Sequence, residues 1–164
     1  MSNTRHVSAT PATQFLRNRQ VPFTEHPYTY VERGGAQESA RQLGVDPHYV
    51  VKTLIMEDEK AQPLMVLMHG DCEVSTKELA RQTQRKRIHP CKPDVAQRHS
   101  GYFVGGTSPF GTRRTMPVYV EASILVLPSI YVNGGRRGYL LQLEPLWLTS
   151  LLQAVPVTVC LPVH

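Results

Sequence analysis

Apolar positions along this chain come in short runs bounded by glycine, proline and small polar residues, a pattern of many short elements rather than a few long helices. Thr10-Pro11 reads as an N-cap followed by a first-turn proline and predicts a helix over about 11–19. VPFTEHPYTY (21–30) reads as extended. A second helix is predicted over 36–43, ended by Gly44 at the left-handed C′ position, and Asp46-Pro47 opens a single turn. VVKTLIM (50–56) and LMVLM (64–68) read as buried strands joined by the polar EDEKAQP. Ser75-Thr76-Lys77-Glu78 has the form of a capping box and predicts a helix over 76–84 with a broad basic face. Pro93 and Gly101 bracket a helix over 93–100, and YFVGGTSPFGTRRTMP (102–117) predicts a structured loop. VYVEA (118–122), SIYVN (129–133) and YLLQL (139–143) read as strands, Pro145 opens a last helix in PLWLTSLLQA, and VTVCL (157–161) closes as a strand.

No repeat or linker interrupts this succession, so residues 1–164 read as a single domain, with 1–10 expected to be a flexible N-terminus. Strands outnumber helices and do not alternate with them regularly. That predicts an α+β fold on a mixed, largely antiparallel sheet rather than a doubly wound one. The glycine pairs at 105–106 and 134–135 do not match the dinucleotide fingerprint, and no phosphate-loop motif occurs.

Composition narrows the function. With 164 residues, 41% hydrophobic and 19% charged, the chain can bury a core. Its longest apolar runs, ILVL (124–127) and VTVCL, are far short of a bilayer span, and the N-terminus has no apolar signal core. A cytoplasmic location is expected. Cys72, Cys91 and Cys160 are odd in number and widely spaced, which argues against a disulfide framework and for a reducing compartment. The formal charge of +5 is concentrated: Lys77, Arg81, Arg85, Lys86, Arg87, Lys92 and Arg98 share one stretch, and Arg113-Arg114 and Arg136-Arg137 sit beside glycine-rich segments. Each alone reads as a solvated side chain; together they point to a phosphate-rich partner.

Three places could carry chemistry. Period-two alternation puts Val50, Lys52, Leu54 and Met56 on one strand face, and a lysine there either meets an anion or reaches out to water. Gly105-Gly106-Thr107-Ser108-Pro109 can present backbone N–H groups to a carbonyl or phosphate, or be a tight turn. Asn133-Gly134-Gly135-Arg136-Arg137 can line a pocket, or join two strands through an Asn-Gly hairpin. His69-Gly-Asp-Cys72 and His89-Pro-Cys91 lack the spacing of a metal site, no nucleophile elbow is present, and a Cys–His dyad stays open.

In this order, VVKTL (50–54), AQRHSGYFVGGTSPFGTRRTMPVYVEA (96–122) and IYVNGGRRG (130–138) resemble the YbaK family, relatives of the editing insertion domain of bacterial prolyl-tRNA synthetase. The similarity runs from about residue 11 to 153. It implies a curved mixed sheet or partial barrel with flanking helices. It implies hydrolysis of the ester that joins a wrong amino acid to the 3′ end of a transfer RNA, with no metal or organic cofactor. The family's essential lysine falls on Lys52, with Thr53 beside it, its G-x-x-x-P loop on Gly105 to Pro109, and its pocket tyrosine on Tyr28. Gly105 and Gly106 would bind the ester carbonyl, Thr107, Ser108, Asn133, Gly134 and Gly135 would line the pocket, and Arg113, Arg114, Arg136 and Arg137 would hold the acceptor stem.

The family's cysteine-specific deacylases carry a serine and then an aspartate in segment 133–140, where this chain has Asn133 and Leu140. The expected substrate is therefore a tRNA, tRNA(Pro) or a related one, bearing Ser, Thr, Ala or Cys. An aminoacyl-tRNA synthetase is a candidate partner. A non-catalytic tRNA-binding adaptor and a hydrolase of small free esters are the competing readings.

Overall fold

The computed structural model describes residues 9–162. Most of the expected flexible N-terminus lies outside them, but Thr10 does not fit that expectation: it is buried and caps the first helix. Helix α1 (Pro11–Asn18) starts with Thr10 Oγ1 accepting from the Thr13 amide, while the Thr13 hydroxyl takes the Thr10 amide in return. The elements that follow are β1 (Thr24–Pro27), α2 (Gly35–Leu43), a 3-10 turn (Pro47–Tyr49), β2 (Val51–Asp58), β3 (Pro63–His69) and β4 (Cys72–Val74). After them come α3 (Thr76–Gln82), β5 (Ile88–Pro90), α4 (Pro93–Ser100), β6 (Val118–Glu121) and a 3-10 stretch (Ala122–Val126). The chain then forms β7 (Ile130–Asn133), β8 (Tyr139–Leu143), α5 (Leu146–Leu152), β9 (Val155–Val157) and β10 (Cys160–Pro162).

The main sheet has the order β5-β2-β3-β6-β9, with β3–β6 and β6–β9 parallel and the other pairs antiparallel. An antiparallel sheet β1-β8-β7 joins it through a parallel bridge between Val50 and Tyr131, and β10 pairs with β4. The fold is thus α+β with mixed sheets, and the described strands do not close into a barrel. Every residue of β3 is buried because both faces of the main sheet are covered. One face packs Val51, Ile55, Met65 and Leu67 against β7, β8 and the helices α1, α4 and α5. The other packs Met56, Leu64, Val66 and Met68 against Leu79 and Ala80 of α3, Ile88 of β5, and Val157 and Val159. A smaller cluster joins Ala40 of α2 to Val50, Tyr131 and Leu140.

The structure departs from the sequence reading in four local places. VTVCL does not form one strand. The Thr158 amide is taken by Gln82 Oε1 and the Val159 amide by buried Glu121 Oε1, so the chain leaves the main sheet after Val157 and pairs with β4 from Cys160. Ser75 caps α3, but the reciprocal half of the capping box does not form. The Ser75 amide bonds to Val159 O, and Glu78 pairs with Arg81 at 2.7 Å. β4 and β5 were not legible, each being three residues long. Finally, Cys72 and Cys160 face each other across the β4–β10 pair with Cα atoms 5.7 Å apart and form a disulfide, against the expectation of unpaired cysteines.

Candidate active site

Lys52 stands half-buried on β2, between the cluster around Met56 and the one around Val50. Its Nζ donates to the main-chain carbonyl of Cys72 at 2.5 Å. Burial pulls its pKa below the ordinary lysine value against the opposing attraction of Glu73 and Asp71. The anionic surroundings that such a lysine requires are therefore supplied in part by the protein itself. Thr53 points to the opposite face. Its Oγ1 is buried and has no hydrogen-bond partner among the described residues, a state that costs about 1–3 kcal/mol until a partner arrives.

The two glycine segments meet. Gly105 has φ +93° and is exposed, whereas Gly106 to Pro109 are buried. The Gly106 amide is committed to Phe103 O at 2.8 Å, and no acceptor for the Gly105 amide is found among the described residues. The expected two-donor clamp thus reduces to one open donor at Gly105. Asn133 locks the segments together: its Nδ2 donates to Gly105 O at 3.2 Å and its Oδ1 accepts from the Gly135 amide at 2.7 Å. A Cβ at Gly106 would lie 2.8 Å from the backbone of Arg136 and Arg137, so the close approach requires glycine there. Thr10 Oγ1 donates to Gly134 O at 2.5 Å and ties α1 to the same loop. Strands β7 and β8 do pair, through the five-residue loop 134–138 rather than a two-residue Asn-Gly turn.

Of the expected pocket residues, Leu140 pairs with Asn133 in the β7–β8 register and is buried, with half-buried Tyr28 packed against its cluster. Tyr28 also lines a shallow cleft with Pro27, Thr29, Gln42 and Leu43, and burial raises its pKa. Val50, two residues before Lys52 on the same strand face, belongs to that cluster too. Gly105, Asn133, Leu140, Tyr28, Val50 and Lys52 thereby form a chain of neighbours, although no hydrogen bond joins Lys52 to the glycine loop among the described residues. Thr107 and Ser108 are buried in the loop, where the Ser108 hydroxyl accepts from the Phe110 amide and Thr107 Oγ1 bonds to Phe103 O.

The four expected RNA-facing arginines are exposed. Arg136 lies over the Tyr139 ring at 4.5 Å, and Arg137 lies over Tyr30 at 4.9 Å while its Nε donates to Val104 O at 3.0 Å. Arg114 donates to His99 Nδ1 at 2.9 Å. Arg85 belongs to the fold instead: it pairs with buried Asp58 at 3.2 Å and donates to the Tyr119 hydroxyl.

One network was missed from sequence, although His69-Gly-Asp-Cys72 hinted at it. Buried His69 uses Nδ1 on the His48 carbonyl at 2.7 Å, so Nε2 accepts the hydroxyl of exposed Ser123 at 2.6 Å. Burial lowers the His69 pKa, and its ring stacks on His48, which in turn bonds Asp71 at 3.0 Å. With both His69 nitrogens engaged and the two imidazoles parallel at 3.7 Å, this group is poorly arranged to converge on a metal ion. The second cluster, Glu57, Cys91 and His99, has His99 bonded to both Glu57 and Arg114. Burial and the Glu57 charge push the Cys91 thiol up to about 11, so although it lies beside His99 it is not poised as a nucleophile at neutral pH.

Comparison with known proteins bears on the chemistry. Residues 32–151 match the aminoacyl-tRNA editing domain. EbsC of Enterococcus faecalis, named for a proposed Cys-tRNA(Pro)/Cys-tRNA(Cys) deacylase activity, is 27% identical over 152 residues, covering 92% of this chain and 93% of that protein. A proline–tRNA ligase of Limosilactobacillus reuteri is 24% identical over 106 residues, which are 62% of this chain and 18% of the ligase. The crystal structure of the hypothetical protein APE2540 superposes with TM-score 0.84 at 22% identity, covering 92% of this chain and 99% of that one. A structure described as a candidate trans-editing enzyme for prolyl-tRNA synthetase gives 0.80 at 21% identity, covering 94% and 99%; at such identities the fold is what is shared.

Proposed function

Since this chain belongs to the aminoacyl-tRNA editing domain family, we propose that it is a free-standing deacylase that hydrolyses the ester of a small, wrongly attached amino acid on a transfer RNA. The observation that carries the reading is the Gly105 amide, which has no acceptor among the described residues and belongs to an exposed residue held by Asn133 and, through the Val104 carbonyl, by Arg137, with exposed Arg136 beside the loop. An amide fixed in this way needs no reorganisation to receive the negative charge that builds on an ester oxygen, a contribution typically worth ~3 kcal/mol. Lys52 supports that charge or the neighbouring phosphate. Water adds to the carbonyl carbon, the bond to the ribose oxygen breaks, and the amino acid leaves with the tRNA hydroxyl restored.

Selectivity rests on Leu140, Asn133 and Tyr28. An aspartate in place of Leu140 would bind the α-ammonium of the substrate; a buried leucine favours a small or apolar side chain. One methyl group in such a pocket discriminates by only ~1–3 kcal/mol, so activity is expected to spread over Ser, Thr, Ala and Cys. tRNA(Pro) is the favoured carrier, supported by the similarity to a segment of proline–tRNA ligases. An association with a synthetase and a cytoplasmic location belong to the same reading; no helix among the described residues is long and apolar enough to cross a membrane. The test is a comparison of single-turnover rates on Cys-, Ser-, Thr-, Ala- and Pro-charged tRNA, with Leu140→Asp in parallel. Absence of hydrolysis across the panel overturns the assignment, and activity confined to the cysteinyl substrate and indifferent to Leu140→Asp removes Leu140 from selectivity.

A further inference from the structure

Phe103 is 64% exposed, two residues before Gly105. A single apolar side chain in water is ordinary. This one differs in its setting. Its own carbonyl accepts from the Gly106 amide at 2.8 Å and from Thr107 Oγ1 at 3.4 Å, so the backbone that carries the ring is fixed. Tyr102 just before it is buried and donates to Phe110 O at 2.6 Å, which anchors the other side of the residue. Val104 is 45% exposed, and its carbonyl is held by Arg137. The Arg137 guanidinium in turn lies over the half-buried Tyr30 ring, and the Tyr30 hydroxyl is 3.0 Å from where a Cβ at Gly105 would stand. Around the open Gly105 amide there are thus an exposed phenyl, a tyrosine–guanidinium stack and, close by, the exposed Arg136.

Flat apolar faces interleaved with cations are the surface that single-stranded nucleic acid requires: bases stack on rings, and phosphates meet guanidinium groups. A double helix cannot offer its base faces, so such a platform addresses an unpaired end. We propose that Phe103, with the Tyr30–Arg137 stack, forms a subsite for the unpaired bases at the 3′ end of the RNA, with the terminal purine against the Phe103 ring. The inference rests on the deacylase reading for the identity of the RNA, and adds to it the contact that sets the aminoacyl ester over Gly105. The Phe103 ring has no group that reacts, so its contribution falls on binding.

The experiment measures binding of uncharged tRNA, intact or lacking its terminal adenosine, to the wild type, Phe103→Ala and Phe103→Trp. Loss of the ring should weaken binding of intact tRNA about 10- to 100-fold, and tryptophan should restore it. Removing the adenosine should weaken the wild type by a similar factor and leave Phe103→Ala unaffected. On mischarged tRNA, Phe103→Ala should raise KM with kcat nearly unchanged, and its melting temperature should match the wild type because the ring is exposed. Equal losses for both proteins on removing the adenosine would overturn the subsite. So would unchanged RNA affinity in a Phe103→Ala protein that has lost association with a synthetase, which would make this surface a protein-docking face. Binding needs no hydrolysis, so coupling between Phe103 and the adenosine in a protein inactive on every charged tRNA would refute the deacylase reading alone.

Discussion

Replacing Lys52 by methionine separates fold from chemistry, because it keeps the unbranched stem and removes the ammonium. Two terms oppose each other in stability. The hydrogen bond from Nζ to Cys72 O is lost, and charge-assisted bonds contribute about 1.5–3 kcal/mol. In return a half-buried charge disappears from a strand face shared with Val50, Leu54 and Met56. Swaps of a buried ion for an apolar side chain of like volume are commonly neutral or stabilising, so the two terms nearly offset and stability should move by less than about 1 kcal/mol. The rate has no such offset: in the proposed role, where Lys52 supports the developing oxyanion, losing its charge should lower single-turnover hydrolysis ~10²–10³-fold. pH adds a signature. Because burial holds the folded pKa below 10.5, the unfolded chain binds more protons between that depressed value and 10.5, and wild-type stability rises with pH across this window. Below the window the penalty is fully present. Methionine has no matching term, so any stability advantage of the variant should shrink as the pH rises through the window. Single-turnover assays and denaturant unfolding at neutral and alkaline pH read both effects. Near-normal turnover by folded Lys52→Met refutes the catalytic assignment, and a loss of several kcal/mol would make the Lys52–Cys72 bond a structural one.

Gly106→Ala should destabilise the protein by ~1–3 kcal/mol, because its Cβ would meet backbone atoms of Arg136 and Arg137 at 2.8 Å, and should cut deacylation further than the lost stability explains. Thermal melting and rates on the folded fraction check this; a silent substitution would mean that the loops need not touch. Arg136→Ala with Arg137→Ala should weaken tRNA binding and flatten its log–log salt dependence by roughly 0.7–0.9 for each phosphate that is no longer neutralised, and an unchanged slope removes both from the interface. Arg85→Leu should do the reverse, costing on the order of 3 kcal/mol by leaving Asp58 without its cation while the salt slope stays constant. A lowered slope with intact stability would instead return Arg85 to the RNA surface.

Most of the helices were legible because their punctuation is local. Thr10-Pro11, Gly44 and Gly101 act within one turn of chain, and the structure uses each where expected, with Gly44 and Gly101 in left-handed caps. The central strands were legible from unbroken apolar runs. What escaped depends on partners far along the sequence. Glu121 and Gln82 divert the chain at 158–159, and neither leaves a mark on VTVCL itself. The Cys72–Cys160 pairing spans 88 residues, and odd cysteine count and spacing carry no information about two strands lying side by side. The candidate site divides the same way. Residue types at Lys52, Gly105 and Asn133 were readable as motifs. That Asn133 would clamp Gly105, that Gly106 would use up its amide on Phe103, and that His69 would hold Ser123 required the fold.

The bond from Thr10 to Gly134 has a consequence for the order of synthesis. Helix α1 is capped by a hydroxyl whose acceptor is synthesised 124 residues later. The loop it braces also needs Asn133, and Asn133 lies opposite Leu140 in the register of β7 and β8. Until that hairpin is made, residues 10, 52, 105 and 133 belong to one chain but to no common place. A pairing of such sequence separation forms late and at a high entropic cost in loop closure. Until synthesis has passed Leu140, the chain therefore carries Lys52 and the glycine loop as separate motifs, without the Asn133 clamp that joins the two glycine segments.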